Sequence, residues 1–222
     1  MTQEISNTRS YRGQTPEQRR ADRRNRLIAG AISVYGERGY HNATVKAVCD
    51  AAGLTERYFY ESFTNSEMLL IDSYNFITDL VRERVLLAGE SARGGRIARS
   101  RAMLYAYFSS IQRDPRSARV FLVEIRGVSA AVDRTFDESL REFGLAVTRL
   151  VAPDLLDDEL LQAGVIGGVI HIAMRWIACN YEPPIDEAVA AALRLGTALS
   201  KRRRIAPATS ASPVTGNQRA QD

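Results

Sequence analysis

Two histidines and two cysteines are all the imidazoles and thiols in the chain. His41, Cys49, His171 and Cys179 lie on separate segments, and neither histidine has a carboxylate or nucleophile placed beside it. The local signatures of catalysis are missing too: there is no G-x-S-x-G, no H-E-x-x-H, no P-loop and no G-x-G-x-x-G behind a strand. An enzyme is not expected, nor is a cofactor. The side chains best placed for chemistry are a cation and two phenols. Thr55, Glu56, Arg57 and Tyr58 occupy the first turn of a short helical segment, with Tyr60 just beyond. Arg57 suits a bidentate contact to guanine O6 and N7, and Tyr58 a thymine methyl or a phosphate. The chemistry on offer is recognition of a nucleic acid.

A reading helix needs a scaffold, and the flanking residues supply one. Thr15-Pro16-Glu17-Gln18 combines a cap, a first-turn proline and a Gln three residues on, so a first helix should start there and run to about Arg38. Leu27, Ile28, Ala31, Ile32 and Tyr35 repeat at helical spacing and form one buried face. Gly39-Tyr40 ends it. Thr44 caps a second helix to Ala52, with Val45, Val48, Cys49 and Ala52 on one side, and Gly53-Leu54 breaks it. Thr55 caps the third, to Phe63, with Phe59 and Phe63 turned inward. Two short helices around a glycine-containing turn cannot enclose a core alone, so the first helix must close the third side. That is a helix-turn-helix.

This stretch resembles the TetR family of transcriptional regulators. The residues that carry the likeness are Gly39-Tyr40, Ala43-Thr44-Val45, Val48-Cys49, Ala52-Gly53-Leu54-Thr55, Tyr60, Phe63 and Glu67-Met68-Leu69, within roughly residues 20 to 75. Arg57-Tyr58 stands where that family usually has a small pair, and Ser66 where it usually has Lys. By resemblance Tyr60 holds a backbone phosphate, as do Thr44 and Lys46 at the start of the second helix, where exposed amides assist. The likeness implies a double-stranded operator as partner, a homodimer built on the last two long helices, and a repressor released by a small hydrophobic effector. A regulator of the same fold that answers to a protein partner is the alternative.

Charge is placed unevenly. Residues 1 to 26 hold seven arginines against three acids, and the carboxy-terminal stretch holds Lys201, Arg202, Arg203 and Arg204. Residues 27 to 63 are slightly acidic. Sequence-independent affinity for phosphates must therefore lean on the arginine-rich start, with Arg19 and Arg23 as candidates. The two distant cysteines suit buried thiols in a reducing cytoplasm. The amino terminus lacks the apolar core of a signal peptide. The most apolar stretch, Leu160 to Cys179, is interrupted by Gln162, His171 and Arg175, so a buried helix is expected there and not a membrane span.

The expected fold is all-α: a three-helix head over residues 15–66, with its reading helix at about 55–63, and a larger helical ligand-binding and dimerisation domain over 67–201. Residues 1–14 and 202–222 are polar or low in complexity and should be a disordered arm and tail. In the body, Thr64-Asn65-Ser66-Glu67 should box the start of a fourth helix, and further helices should cover about 96–112, 116–126, 130–151, 158–180 and 186–201. Asp154 to Glu159 complements a helix start, so no metal is expected. Polar side chains on apolar helices mark an effector site: Glu124, and His171 and Arg175 four apart, with Tyr105, Phe121 and Trp176 as aromatic walls. Gly164 and Gly168 in the eighth helix and Ala191 and Leu195 in the ninth permit close packing across a dimer interface.

Overall fold

The computed structural model describes residues 15–201. The expected arm and tail lie outside the described residues, as do Arg9, Arg12 and Arg202 to Arg204. Among the described residues there are helices and turns and no strands. The helices are α1 (Pro16–Arg38), α2 (Val45–Ala52), α3 (Glu56–Ser62), α4 (Ser66–Ser91), α5 (Arg96–Arg113), α6 (Pro115–Arg119), α7 (Ala130–Val151), α8 (Glu159–Ala178) and α9 (Ile185–Lys201).

Local chemistry explains the boundaries. Thr15 and Gln18 exchange hydrogen bonds at the start of α1, Gln18 N donating to Thr15 Oγ1 and Thr15 N to Gln18 Oε1. Thr44 Oγ1 accepts from Ala47 N to cap α2. Gly53, at φ +62°, takes the left-handed conformation that closes α2, and a side chain there would be strained. Two expectations shift. The cap of α4 is Asn65, whose Oδ1 accepts from Met68 N, so the box does not start at Thr64. The expected helix over 116–126 is a single turn of α6 followed by a π-helical turn, Val120–Glu124.

The head closes as its pattern predicts. Leu27, Ala31 and Tyr35 of α1 meet Val48 and Cys49 of α2 and Phe59 of α3, all nearly inaccessible to solvent. Two arginines of the basic start are spent on this packing. Arg26 donates to Ala52 O and Gly53 O at the end of α2. Arg24 donates to Ser62 O, pairs with Asp72 of α4 and stacks on Phe63. In the body, α4 and α5 pair along their length and α7, α8 and α9 close around them, with Tyr74, Phe108, Ile111, Leu122 and Ile125 at the centre. Trp176 belongs to this core: its ring meets Phe108 and Tyr181 edge-on and its indole N–H donates to Pro183 O at 2.6 Å.

α8 departs from expectation. It is long and apolar enough to cross a membrane by length and composition, yet little of it is buried. Gln162, Ile170, Ala173 and Trp176 face inward, whereas Leu160, Gly164, Gly167, His171 and Arg175 form an exposed strip along the opposite side.

Candidate nucleic-acid interface and body cavity

α3 is the helix expected to read bases, and its side chains differ in exposure. Thr55 occupies the cap position of α3, but its hydroxyl makes no capping bond. Arg57 and Tyr60 are strongly exposed, and Arg57 Nε rests on Glu61 Oε1 at 2.9 Å. Tyr58 is half-buried because Arg23 of α1 lies over its ring, 4.6 Å from guanidinium carbon to centroid. The structure thus joins two residues that the sequence had offered separately. Thr44 and Lys46 are exposed at the start of α2, and Arg19 is exposed one turn before Arg23. Arg24 and Arg26 are tied to backbone carbonyls of the head, and Arg24 to Asp72 as well, although Arg26 remains exposed. In the same stretch of α1 Arg19 and Arg20 are exposed and Arg23 is half-buried.

The body encloses a cavity of about 640 Å³ between α4, α5, α7, α8 and α9. Its wall is mostly apolar, including Met103, Phe121, Leu122, Phe136, Phe143 and Ile170. Tyr74, Thr78, Tyr107 and Ser139 place hydroxyls along it. The Tyr107 hydroxyl is buried without a hydrogen-bond partner among the described residues, and burial pushes its pKa well up. An orphaned buried hydroxyl costs about 1–3 kcal/mol, which a ligand carbonyl or ether oxygen would recover.

The expected effector residues do not assemble around this cavity. Of the six, only Phe121 lines it. His171 and Arg175 are four apart as foreseen, but that spacing puts both on the exposed strip of α8. Trp176, one residue on, points into the core. Tyr105 is 46% exposed on the outer face of α5. Glu124 does not pair with Arg175. Its Oε1 accepts from Arg119 Nε at 2.8 Å and its Oε2 from Tyr40 N at 2.7 Å, across to the end of α1. Sequence reasoning missed Tyr107, Phe143 and Met103, because periodicity marks a buried face without saying whether it meets another helix or a void. It missed Arg119 as well, whose partner follows five residues later, off the usual helical spacing.

Around Glu124 the head and body are clamped together. Arg119 also reaches Gly36 O and Glu37 O, and Arg116 pairs with Glu37 at 2.5 Å. Gly36 lies so close to α6 that an added Cβ would meet Arg116 Cβ at 2.6 Å. The same short element supplies Phe121 and Leu122 to the cavity wall.

The proposed interface residues divide. A Cβ on Gly168 would meet Leu195 Cδ2 at 2.5 Å, so these two pack α8 against α9 within one chain. Gly164 is open and exposed, and Ala191 is half-buried.

Residues 27–72 match the family model for bacterial regulatory proteins of the tetR family. The amino-terminal domain is a TetR-family domain. The chain is 24% identical over 180 residues to the HTH-type transcriptional activator FasR of Mycolicibacterium smegmatis, covering 76% of this chain and 77% of that protein. Among solved structures, the fatty acid degradation regulator FadR of Bacillus halodurans superposes with a TM-score of 0.69 at 19% identity, over 78% of this chain and 93% of that one. FadR of Bacillus subtilis, solved with stearoyl-CoA, gives 0.67 at 19% identity, over 77% and 96%. These likenesses place the body in the same all-helical fold behind the TetR-type head. Head and body together have the architecture of a TetR-type regulator.

Proposed function

We propose that the protein binds a pseudopalindromic operator as a homodimer and is released from it by a small effector carrying a long acyl chain. In this reading residues 15–66 form the DNA-binding domain and 67–201 the effector and dimerisation domain. Arg57 and Tyr58 read bases, while Thr44, Lys46, Thr55, Tyr60, Arg19 and Arg23 hold the backbone. The exposed strip of α8, whose first half is the apolar run Leu160, Gly164 and Gly167, is the surface that a second copy covers, since an isolated chain would leave those positions wet. Pairing through this strip would hold two reading helices about one turn of DNA apart, roughly 34 Å.

The observation that carries the effector half is a largely apolar cavity sharing one wall with the element that clamps the head. Its size is within the usual range for ligand sites, about 300–1,000 Å³. An acyl chain matches the apolar wall, and a relative in fold is known with stearoyl-CoA. The test begins with selection of bound DNA from a random pool at fixed salt. The selected operator is then titrated with palmitoyl-CoA against the wild type and Val147→Trp, which fills the cavity from α7. Release of the wild type only is the expected result; release of both, or of neither, defeats the reading.

A second reading concerns the sign of regulation. The Mycolicibacterium smegmatis relative is named an activator, which favours activation at some promoters. A reporter gene behind the selected operator, with and without the regulator, separates the two.

A further inference from the structure

Hydrogen-bonding capacity left unused inside the body is concentrated in one place. Among the described residues three buried side-chain polar atoms lack a partner: Arg23 Nε in the head, and Thr78 Oγ1 and the Tyr107 hydroxyl in the body. Thr78 is 3% and Tyr107 6% exposed, and both line the cavity, from α4 and α5. Tyr74, one turn before Thr78, and Ser139 of α7 bring two more hydroxyls to the same wall. Burial raises the pKa of Tyr107, and the neighbouring Tyr74 phenol adds to this. Tyr74 is raised by burial as well, with the Ser139 and Thr78 hydroxyls holding it partly back. Both phenols therefore keep their protons and can donate. By contrast Gln162, a buried amide on the same cavity, is satisfied by Leu155 O and Leu156 O. The charged pair Arg96 and Asp154 lies at the exposed rim. Tyr107 stands three turns along α5 from Arg96, about 17 Å at 1.5 Å per residue.

We propose that Tyr107 and Thr78 form an oxygen-recognising subsite, and that the effector carries a hydroxyl or keto oxygen on its chain, far from its polar end. The proposal rests on the acyl-chain reading of the cavity and narrows it: an unsubstituted chain is not the preferred ligand. A saturated chain lays methylene groups against both hydroxyls and leaves them unmet. A keto oxygen accepts from Tyr107 and has a second lone pair for Thr78. A hydroxyl accepts from Tyr107 and donates to Thr78 Oγ1. Discrimination is strong where the wrong ligand leaves polar groups of the site unpaired, and weak where a pocket only accommodates an added methylene. A water molecule held by the same hydroxyls would satisfy them without selecting among chains. Chains that differ in one oxygen separate the two cases.

The experiment titrates stearate, 12-hydroxystearate and 12-oxostearate into the full chain, Tyr107→Phe and Thr78→Val, using calorimetry below micelle-forming concentrations. With the carboxylate at the Arg96 rim, the added oxygen of these chains lies at about the depth of Tyr107. The wild type should bind both oxygenated chains about tenfold more tightly than stearate, the scale of one buried hydrogen bond. Tyr107→Phe should level the three, weakening the oxygenated chains while stearate stays within about twofold. Thr78→Val should lower the preference for the hydroxy chain. Urea unfolding without ligand tests for a structural role: loss of an unpaired hydroxyl breaks no hydrogen bond, so the midpoint of Tyr107→Phe should be unchanged or raised. Equal affinities in the wild type, or a preference that survives Tyr107→Phe, overturn the subsite and leave the cavity standing. A lowered midpoint with all three chains weakened together makes the hydroxyl structural and overturns the subsite too. Binding of none of the chains to the wild type overturns the subsite and the acyl-chain reading together.

Discussion

Glu124→Ala removes a carboxylate that holds the head against the body. In the wild type it receives the Tyr40 amide at 2.7 Å and Arg119 Nε at 2.8 Å, with a side chain only 10% exposed. Truncation leaves the part-buried Tyr40 N–H without an acceptor, a loss of about 1–3 kcal/mol. Arg119 is 43% exposed and can turn to water, so screening limits its share to about 0.5 kcal/mol. The expected destabilisation is about 1.5–3.5 kcal/mol, read as a lower urea midpoint at unchanged slope. The functional effect should be more selective. Each head retains its own core, so operator binding in the absence of effector should change by less than about threefold, or under about 0.7 kcal/mol. Release by palmitoyl-CoA should fail, because an effector shifts an equilibrium only through contacts that differ between the two arrangements. Glu124→Gln keeps an acceptor for Tyr40 but turns an amide toward Arg119, and should fall between. Wild-type stability together with wild-type release in Glu124→Ala would refute the clamp.

Three further outcomes follow from the same geometry. Arg57→Ala should relax specificity at one base of each half-site by about 1–3 kcal/mol, whereas Tyr60→Phe should weaken all sequences alike; binding to a library of single-base operator variants tells them apart. Trp176→Ala should cost about 3–5 kcal/mol in thermal or urea unfolding, since it removes a core ring and the donor to Pro183 O; full stability with a lost effector response would return Trp176 to the ligand site. Gly167→Arg, on the open strip of α8, should yield a folded monomer by light scattering, while Gly168→Glu should disturb α8 and α9 within the chain, because its Cβ falls on Leu195.

The head was legible because its determinants are local. Caps at Thr15 and Thr44, a left-handed Gly53 and the pair Phe59 and Phe63 each fix a boundary or a face within a few residues. The body was legible as a set of helices but not as an arrangement of them. His171 and Arg175 were correctly placed on one face, yet nothing within α8 says whether that face meets a cavity, a neighbour or solvent. Trp176 sits 100° further round the same helix and has the opposite fate. Arg24 and Arg26 carry a similar lesson. Both belong to the arginine-rich start expected to meet phosphates, yet both donate to backbone carbonyls and Arg24 also pairs with Asp72, partners that only the closed head brings within reach.

The π-helical turn at Val120–Glu124 links the two halves, and its geometry is what permits the link. Arg119 and Glu124 are five residues apart. At 3.6 residues per turn an α-helix would set them about 140° apart, too far round to meet and face α1 together. The wider turn, closing over five residues, brings them onto one side. It also leaves Phe121 and Leu122 on the cavity wall. A π turn inside a helix is poorly favoured by itself, and this one is held by contacts at both ends. Under the proposed function, an effector that repacks Phe121 and Leu122 and lets the turn tighten toward α would carry Glu124 away from Tyr40. The consequence is measurable at the Tyr40 amide: its hydrogen exchange should quicken when palmitoyl-CoA binds, while amides in the centre of α1, such as Ala31, stay protected. Equal protection of Tyr40 with and without the ligand would refute this route and send the signal through α4 instead.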